Sequence, residues 1–144
     1  MKLDKQVVSL NLSIKLRELN VKQDSLFYYE CLHEHVNLAF IPTGPQVNFV
    51  NEKLINDGKL KFYSAFTVAE LGELIPYRMP LASATQPDNH LHFGKHIDGF
   101  FIGGYVNHDN GSLWPQFQNT NEADMRAEML IYLIESKLLT PIQK

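Results

Sequence analysis

The strongest structural signal in the sequence is a helical pattern in its last segment. Apolar residues recur there at every third or fourth position, which places them on one face of a helix. Thr120 or Asn121 suits the cap at its start, acidic residues follow in the first turn, and Lys137 suits its end. A helix with one apolar face has to pack against another layer. We therefore predict a helix over residues 121–139, with the apolar stripe Ala123, Ala127, Leu130, Ile131, Ile134 and Leu138.

Much of the remaining chain consists of short aromatic and aliphatic segments separated by turn residues, which is typical of strands. Asp109-Asn110-Gly111 predicts a hairpin turn, because Asn-Gly readily adopts positive φ at both central positions. Pro115 indicates an edge strand, since proline cannot donate to a sheet ladder. Gly103-Gly104 lies inside a predicted strand and indicates a bulge or close packing there. The predicted strands cover residues 26–32, 36–41, 59–63, 90–96, 100–107 and 112–117, and the first two form a hairpin.

The first predicted helix covers residues whose pattern also fits a strand. Residues 8–16 alternate between polar and apolar types, which is a strand pattern. The charged residues at positions 15, 17 and 18 favour a helix instead, and Asn20 can end it in a left-handed conformation. We predict a helix over residues 10–19, with Ser9 as its cap.

Two further helices carry capping signals. Thr43 and Gln46 have the spacing of a capping box, and so do Thr67 and Glu70. Pro76 ends the second of these segments, because proline cannot continue a helix. The signals predict helices over residues 45–57 and 67–75.

These elements define an α+β protein. We expect an antiparallel, hairpin-rich sheet with helices, and the long C-terminal helix packed on one face. A length of 144 residues suits a single globular domain over residues 1–144. Hydrophobic residues make up 44% and charged residues 20%, so the chain can bury a core without cross-links.

Charge and cysteine content narrow the function classes. The net charge of −3 argues against nucleic acid as a partner, because nucleic-acid binders usually present a basic face. Cys31 is the single cysteine, so no disulfide can form within the chain, and we interpret it as a buried structural thiol. No apolar stretch approaches the length of a membrane span, and no apolar targeting segment follows Met1. We expect a cytoplasmic protein without a membrane segment or a cofactor; its oligomeric state stays open.

Histidines form the one group of residues with potential metal chemistry. His90, His92 and His96 share one parity on a strand and hence one face. This spacing raises the alternative of a metal-dependent hydrolase or nuclease. The structural interpretation is a half-exposed strand, with Leu91 and Phe93 buried and the histidines facing water.

Residues 76–90 predict a long loop that contains three prolines. Prolines restrict its conformations, which lowers the entropy that a partner would have to remove on binding. Tyr77 and Arg78 in this loop, and Trp114 on a neighbouring predicted strand, are residue types enriched at interaction hot spots. These three residues are our candidate binding surface, and packing of Tyr77 and Trp114 at the edge of the core is the structural alternative.

No established catalytic motif occurs in the sequence. There is no glycine-rich phosphate loop, no Gly-x-Ser-x-Gly and no His-Glu-x-x-His. The segments 10–28, 64–80 and 121–139 resemble parts of small uncharacterised proteins encoded in bacterial phage and prophage regions. The resemblance implies a phage or prophage context and assigns no site residues.

We therefore expect a non-enzymatic binding or interaction protein of phage or prophage type, with an unidentified protein as one potential partner. The alternative is the metal-dependent enzyme that would use His90, His92 and His96.

Overall fold

The computed structural model describes residues 2–32, 35–40, 60–79, 89–107 and 109–141. The predicted helix over residues 45–57 lies outside them. The elements are a short 3₁₀ helix (Leu3–Lys5), α1 (Leu10–Glu18), β1 (Phe27–Leu32), β2 (His35–Phe40), β3 (Leu60–Ser64), α2 (Val68–Leu74), β4 (His90–Lys95), β5 (Phe101–Val106), β6 (Leu113–Asn119) and α3 (Glu122–Glu135). This confirms the α+β class and places α1 where the helix was favoured over the strand.

The described strands form two antiparallel sheets of three strands each, where a single sheet was expected. In the first sheet β1 lies between β2 and β3, and in the second β5 lies between β4 and β6. The predicted hairpin of β1 and β2 is present, and β4, β5 and β6 form a meander. The helices connect the two sheets. The helix α1 contacts β3 of the first sheet and also α3, and α3 contacts α2 and the strands β5 and β6 of the second sheet.

The helix α1 begins without the predicted side-chain cap. Ser9 is the cap residue, but its side chain accepts no hydrogen bond from the first turn. Its backbone N–H instead donates to Asp124 Oδ1 at 2.6 Å, which ties the start of α1 to α3. The predicted stop is confirmed, because Asn20 adopts a left-handed φ of 64°.

The helix α2 has the predicted capping box. The Thr67 hydroxyl accepts from the Glu70 N–H, and the Glu70 carboxylate accepts from the Thr67 N–H at 2.7 Å. The same carboxylate also accepts from the Ser25 hydroxyl and the Leu26 N–H. One side chain therefore caps α2 and holds the segment that enters β1.

The helix α3 packs on the second sheet over a glycine. A Cβ at Gly103 would come within 2.8 Å of the Met129 sulfur and would also meet the sulfur of Met125, so the missing side chain allows the helix to approach β5. The guanidinium of Arg126 lies 3.7 Å above the ring of Phe93 and pairs with Glu122 at 2.8 Å. The C-terminal helix thus covers one face of this sheet, as predicted.

The end of α3 differs from the prediction. The helix stops at Glu135 rather than 139, and Lys137 adopts a left-handed φ of 59°. The N–H groups of Leu138 and Leu139 both donate to the Leu133 carbonyl, a turn that directs both leucines back onto the core. Their burial in this turn explains why the apolar stripe continues past the helix.

The turn between β5 and β6 also differs from the predicted two-residue turn. Gly111 has a φ of +69°, whereas Asn110 is not left-handed. The Gly111 N–H donates to the Asn107 carbonyl, and the Asn107 N–H donates to Ser112, so the connection is longer than an Asn-Gly turn. Pro115 lies in β6, which among the described strands pairs with β5 alone, so its predicted edge position is confirmed.

Candidate functional site

An apolar cavity of about 380 Å³ lies between α2, the second half of α3 and the segment that follows α1. Phe66 and Leu130 form its floor and are each only 2% exposed. We call this cavity the α2–α3 pocket; its other apolar lining residues are Val21, Leu74, Ile134, Leu139 and Pro141, and its charged rim consists of Lys22, Asp24, Glu70 and Glu73.

Two left-handed residues and one carboxylate position the walls of the α2–α3 pocket. Asn20 ends α1 and turns the chain, so that Val21 donates back to the Leu16 carbonyl and lies buried beside α2. Glu70 holds the following segment through the Leu26 N–H at 2.9 Å. Lys137 makes the corresponding turn after α3 and directs Leu139 onto the pocket.

The rim of the pocket carries more negative than positive charge. Lys22 Nζ pairs with Asp24 Oδ2 at 2.9 Å, so these two charges largely compensate each other. Both oxygens of Glu70 already accept hydrogen bonds from the capping box and from residues 25 and 26. Glu73 lies one turn further along α2, exposed at the rim, and is the carboxylate best placed to meet a ligand.

The structure brings the predicted histidines onto one side of the second sheet. His90 and His92 lie on β4, and the alternating residues Leu91 and Phe93 contact the core, as predicted. His96 lies beyond the end of β4, where its ring stacks on Phe100 with centroids 4.4 Å apart. All three border an open depression on the face opposite α3, whose lining also includes Gly94 of β4 and Ile102 and Val106 of β5.

The described residues contain no group of three or more histidine, cysteine, aspartate or glutamate side chains placed to hold a metal ion. His96 Nδ1 has an acidic neighbour, Asp98, at 3.2 Å. His33, Glu34 and His108 lie outside the described residues.

Tyr77 and Arg78 lie at one edge of the second sheet, and Trp114 lies at the other. Arg78 pairs with His90 along the outer edge of β4, so the start of the predicted loop continues the sheet. Tyr77 is 64% exposed and lies over His90, with ring centroids 6.1 Å apart. Trp114, on β6, is 61% exposed and meets Tyr132 of α3 edge-on. Three strand spacings, about 14 Å, separate the two edges.

Burial governs the ionisation of several other groups. It raises the pKa of Tyr29 and of Tyr105 to about 12, and the two hydroxyls donate to the carbonyls of Val8 and Pro76, each at 2.7 Å. Burial also raises the pKa of the Cys31 thiol, which disfavours the reactive thiolate. Cys31 is half-buried, so the predicted structural role agrees with this environment whereas the predicted full burial does not.

Glu128 supplies a prediction for stability against pH. Burial raises the pKa of this carboxyl above its ordinary value, although a hydrogen bond from Asn119 opposes the shift. The fold therefore favours the protonated form, and stability falls as the pH rises through the folded-state pKa. We expect Glu128→Gln, which retains an acceptor for Asn119, to raise Tm at pH 7 by about 2 °C, corresponding to about 0.5 kcal/mol.

Thermal unfolding followed by circular dichroism across the pH range measures this effect. At about pH 3 and below, Glu128 is protonated in both the folded and the unfolded state, so the two proteins should have the same Tm. Glu18→Gln, which removes an exposed carboxylate, is the control. A gain that persists unchanged at low pH would contradict the role of the charge.

The sequence patterns did not reveal the α2–α3 pocket. Its lining comes from residues 21–24, 66–74 and 130–141, which no local motif connects. One local signal could have indicated the pocket. The apolar pattern continues past the end of α3, through Leu138 and Leu139 to Pro141.

Comparisons with family models, with curated proteins and with solved structures returned no match for this chain. Every helix within the described ranges is too short or too polar to cross a bilayer. The properties of the pocket itself are therefore the basis for a functional proposal.

Proposed function

We propose that this protein is a non-enzymatic binding protein whose α2–α3 pocket takes the apolar part of a small amphiphilic ligand. The observation that carries the proposal is the cavity itself, which has an apolar floor at Phe66 and Leu130 beneath a charged rim. Its volume of about 380 Å³ lies in the range of ligand pockets. Binding is favourable when the hydrocarbon part of a ligand leaves water for the apolar floor, and the polar rim keeps the other end of the ligand solvated.

The lining favours binding over catalysis. Neither a histidine nor a cysteine is among the described residues around the pocket. Glu70 is committed to capping α2 and to holding residues 25 and 26, which is a structural use of the carboxylate. The resemblance to phage and prophage proteins supplies a context for this proposal, and a protein partner outside the pocket is compatible with it.

The pocket is tested with N-phenyl-1-naphthylamine, a neutral dye whose fluorescence rises in apolar surroundings. We expect saturable binding to the wild type. Ile134→Trp places a larger side chain in the pocket and should weaken binding by about tenfold or more, because the indole occupies the space of the ligand. Leu139→Trp, in the turn after α3, fills the same space without altering a helix.

Ile131→Trp is the matched control, since Ile131 is half-buried on the same helix and does not line the pocket. Non-saturable binding to the wild type, or equal binding to the two filled variants and the control, would contradict the proposal. Metal analysis of the same preparation tests the alternative. Stoichiometric zinc or manganese that is lost in His92→Ala would favour the metal-dependent hydrolase or nuclease instead.

A further inference from the structure

We infer that the α2–α3 pocket selects amphiphiles with a positively charged headgroup, such as alkylammonium compounds; this inference rests on the proposed function. The pocket determines where the headgroup has to lie. A chain inserted onto Phe66 and Leu130 leaves its polar end at the rim, because the floor offers only apolar surface. The headgroup therefore meets the charged side chains of the rim.

The rim groups favour a cation. Lys22 Nζ lies 2.9 Å from Asp24 Oδ2, so these two charges compensate each other. Both carboxylate oxygens of Glu70 already accept hydrogen bonds from the protein. Glu73 remains as an exposed carboxylate that lines the pocket. An ammonium or guanidinium group there would gain a charge-assisted contact, whereas a sulfate or carboxylate would be repelled.

The geometry of α2 keeps Glu73 at the rim. Glu70 and Glu73 are three positions apart on the same helix, so they are neighbours on its surface. Leu74, the next residue, lines the apolar wall beside the same opening. The capping box fixes the first turn of this short helix, which limits how far Glu73 can move from the pocket.

Octylammonium, 1-octanol and octyl sulfate test this selectivity, because they share one chain and differ in headgroup charge. Each is measured by displacement of N-phenyl-1-naphthylamine, below its micelle concentration and at low salt. We expect octylammonium to bind about tenfold more tightly than octyl sulfate, with 1-octanol between them. The preference should shrink in 0.5 M NaCl, because exposed charges are screened there over about 4 Å.

Three variants assign the preference to the rim. Glu73→Gln should reduce the ratio of octylammonium to octyl sulfate affinity about threefold, and Lys22→Gln should increase it, because it leaves Asp24 uncompensated. Glu18→Gln changes the net charge by the same amount as Glu73→Gln, from an exposed position on α1 outside the pocket, and should leave the ratio unchanged.

The outcomes separate this inference from the proposed function. The charge selectivity would be overturned if octyl sulfate bound as tightly as octylammonium or more tightly, or if Glu73→Gln left the affinity ratio unchanged. Binding of 1-octanol would in that case still support an apolar pocket. Failure of all three compounds to displace the dye, with Ile134→Trp binding the dye like the wild type, would overturn both.

Discussion

Replacing Gly104 by alanine is expected to lower the free energy of unfolding by about 3 kcal/mol, at the upper end of the usual cost of overpacking. A Cβ at this position would collide with the backbone carbonyl of Pro115 and lie 2.9 Å from Leu113 Cγ. Pro115 lies in the bulge between the pairs Gly104–Gln116 and Val106–Leu113, so its carbonyl can move only if the paired residues on either side shift. The bulge in this ladder lies at the same point, between Gly104 and Val106.

Urea unfolding of matched glycine variants measures this cost. Gly94→Ala is the control, because Gly94 lies on the neighbouring strand and its Cβ would meet His92 at an ordinary contact distance of 3.6 Å. It should change stability by less than about 1 kcal/mol. Gly103→Ala should fall between them, since its closest obstacles are the flexible thioethers of Met125 and Met129. Equal losses for Gly104→Ala and Gly94→Ala would show that backbone contact does not determine the effect.

Replacing Glu70 by alanine is expected to destabilise the protein by about 2 to 3 kcal/mol, because a helix cap and hydrogen bonds to a charged group are lost together. The carboxylate accepts from the Thr67 N–H, the Leu26 N–H and the Ser25 hydroxyl, so its removal leaves three donors without this acceptor. Loss of a cap costs about 1 kcal/mol, and hydrogen bonds to a charged group contribute more than neutral ones. Glu70→Gln should retain part of the stability, because the amide oxygen still accepts.

Glu73→Ala is the matched control for this prediction, since Glu73 is exposed on the same helix and should change stability by less than about 0.5 kcal/mol. Hydrogen exchange adds a local measurement. We expect the Leu26 amide to lose protection in Glu70→Ala, because it then has no carboxylate acceptor. Unchanged exchange at Leu26 would contradict the tie between α2 and the entry to β1.

The elements that the sequence predicted well are those whose signals lie within a few residues. The capping box of Thr67 and Glu70 closes inside one helical turn, and Asn20 ends α1 through its own backbone conformation. The alternation around Leu91 and Phe93 identified the core face of β4, because successive side chains on a strand point to opposite faces.

The differences from the predictions arise where distant residues satisfy local groups. Ser9 was predicted to cap α1 with its side chain, but its N–H has a partner in Asp124, 115 positions away. The helix α3 ends before its apolar stripe does, because a turn at Lys137 allows Leu138 and Leu139 to pack on the core outside the helix. The periodicity of apolar residues does not distinguish a leucine that is buried by the helix from one that is buried by the turn after it.

Length, composition and local patterns by themselves determined that this chain is an α+β protein with a one-faced C-terminal helix and hairpin-connected strands. Those properties follow from backbone geometry and from side chains close in sequence. The tertiary structure alone decided that the strands divide into two sheets, that Tyr77 and Trp114 lie on opposite edges, and that residues from three separate segments enclose the α2–α3 pocket. A pocket depends on distances between segments far apart in the chain, and those distances are fixed only when the helices pack on the sheets.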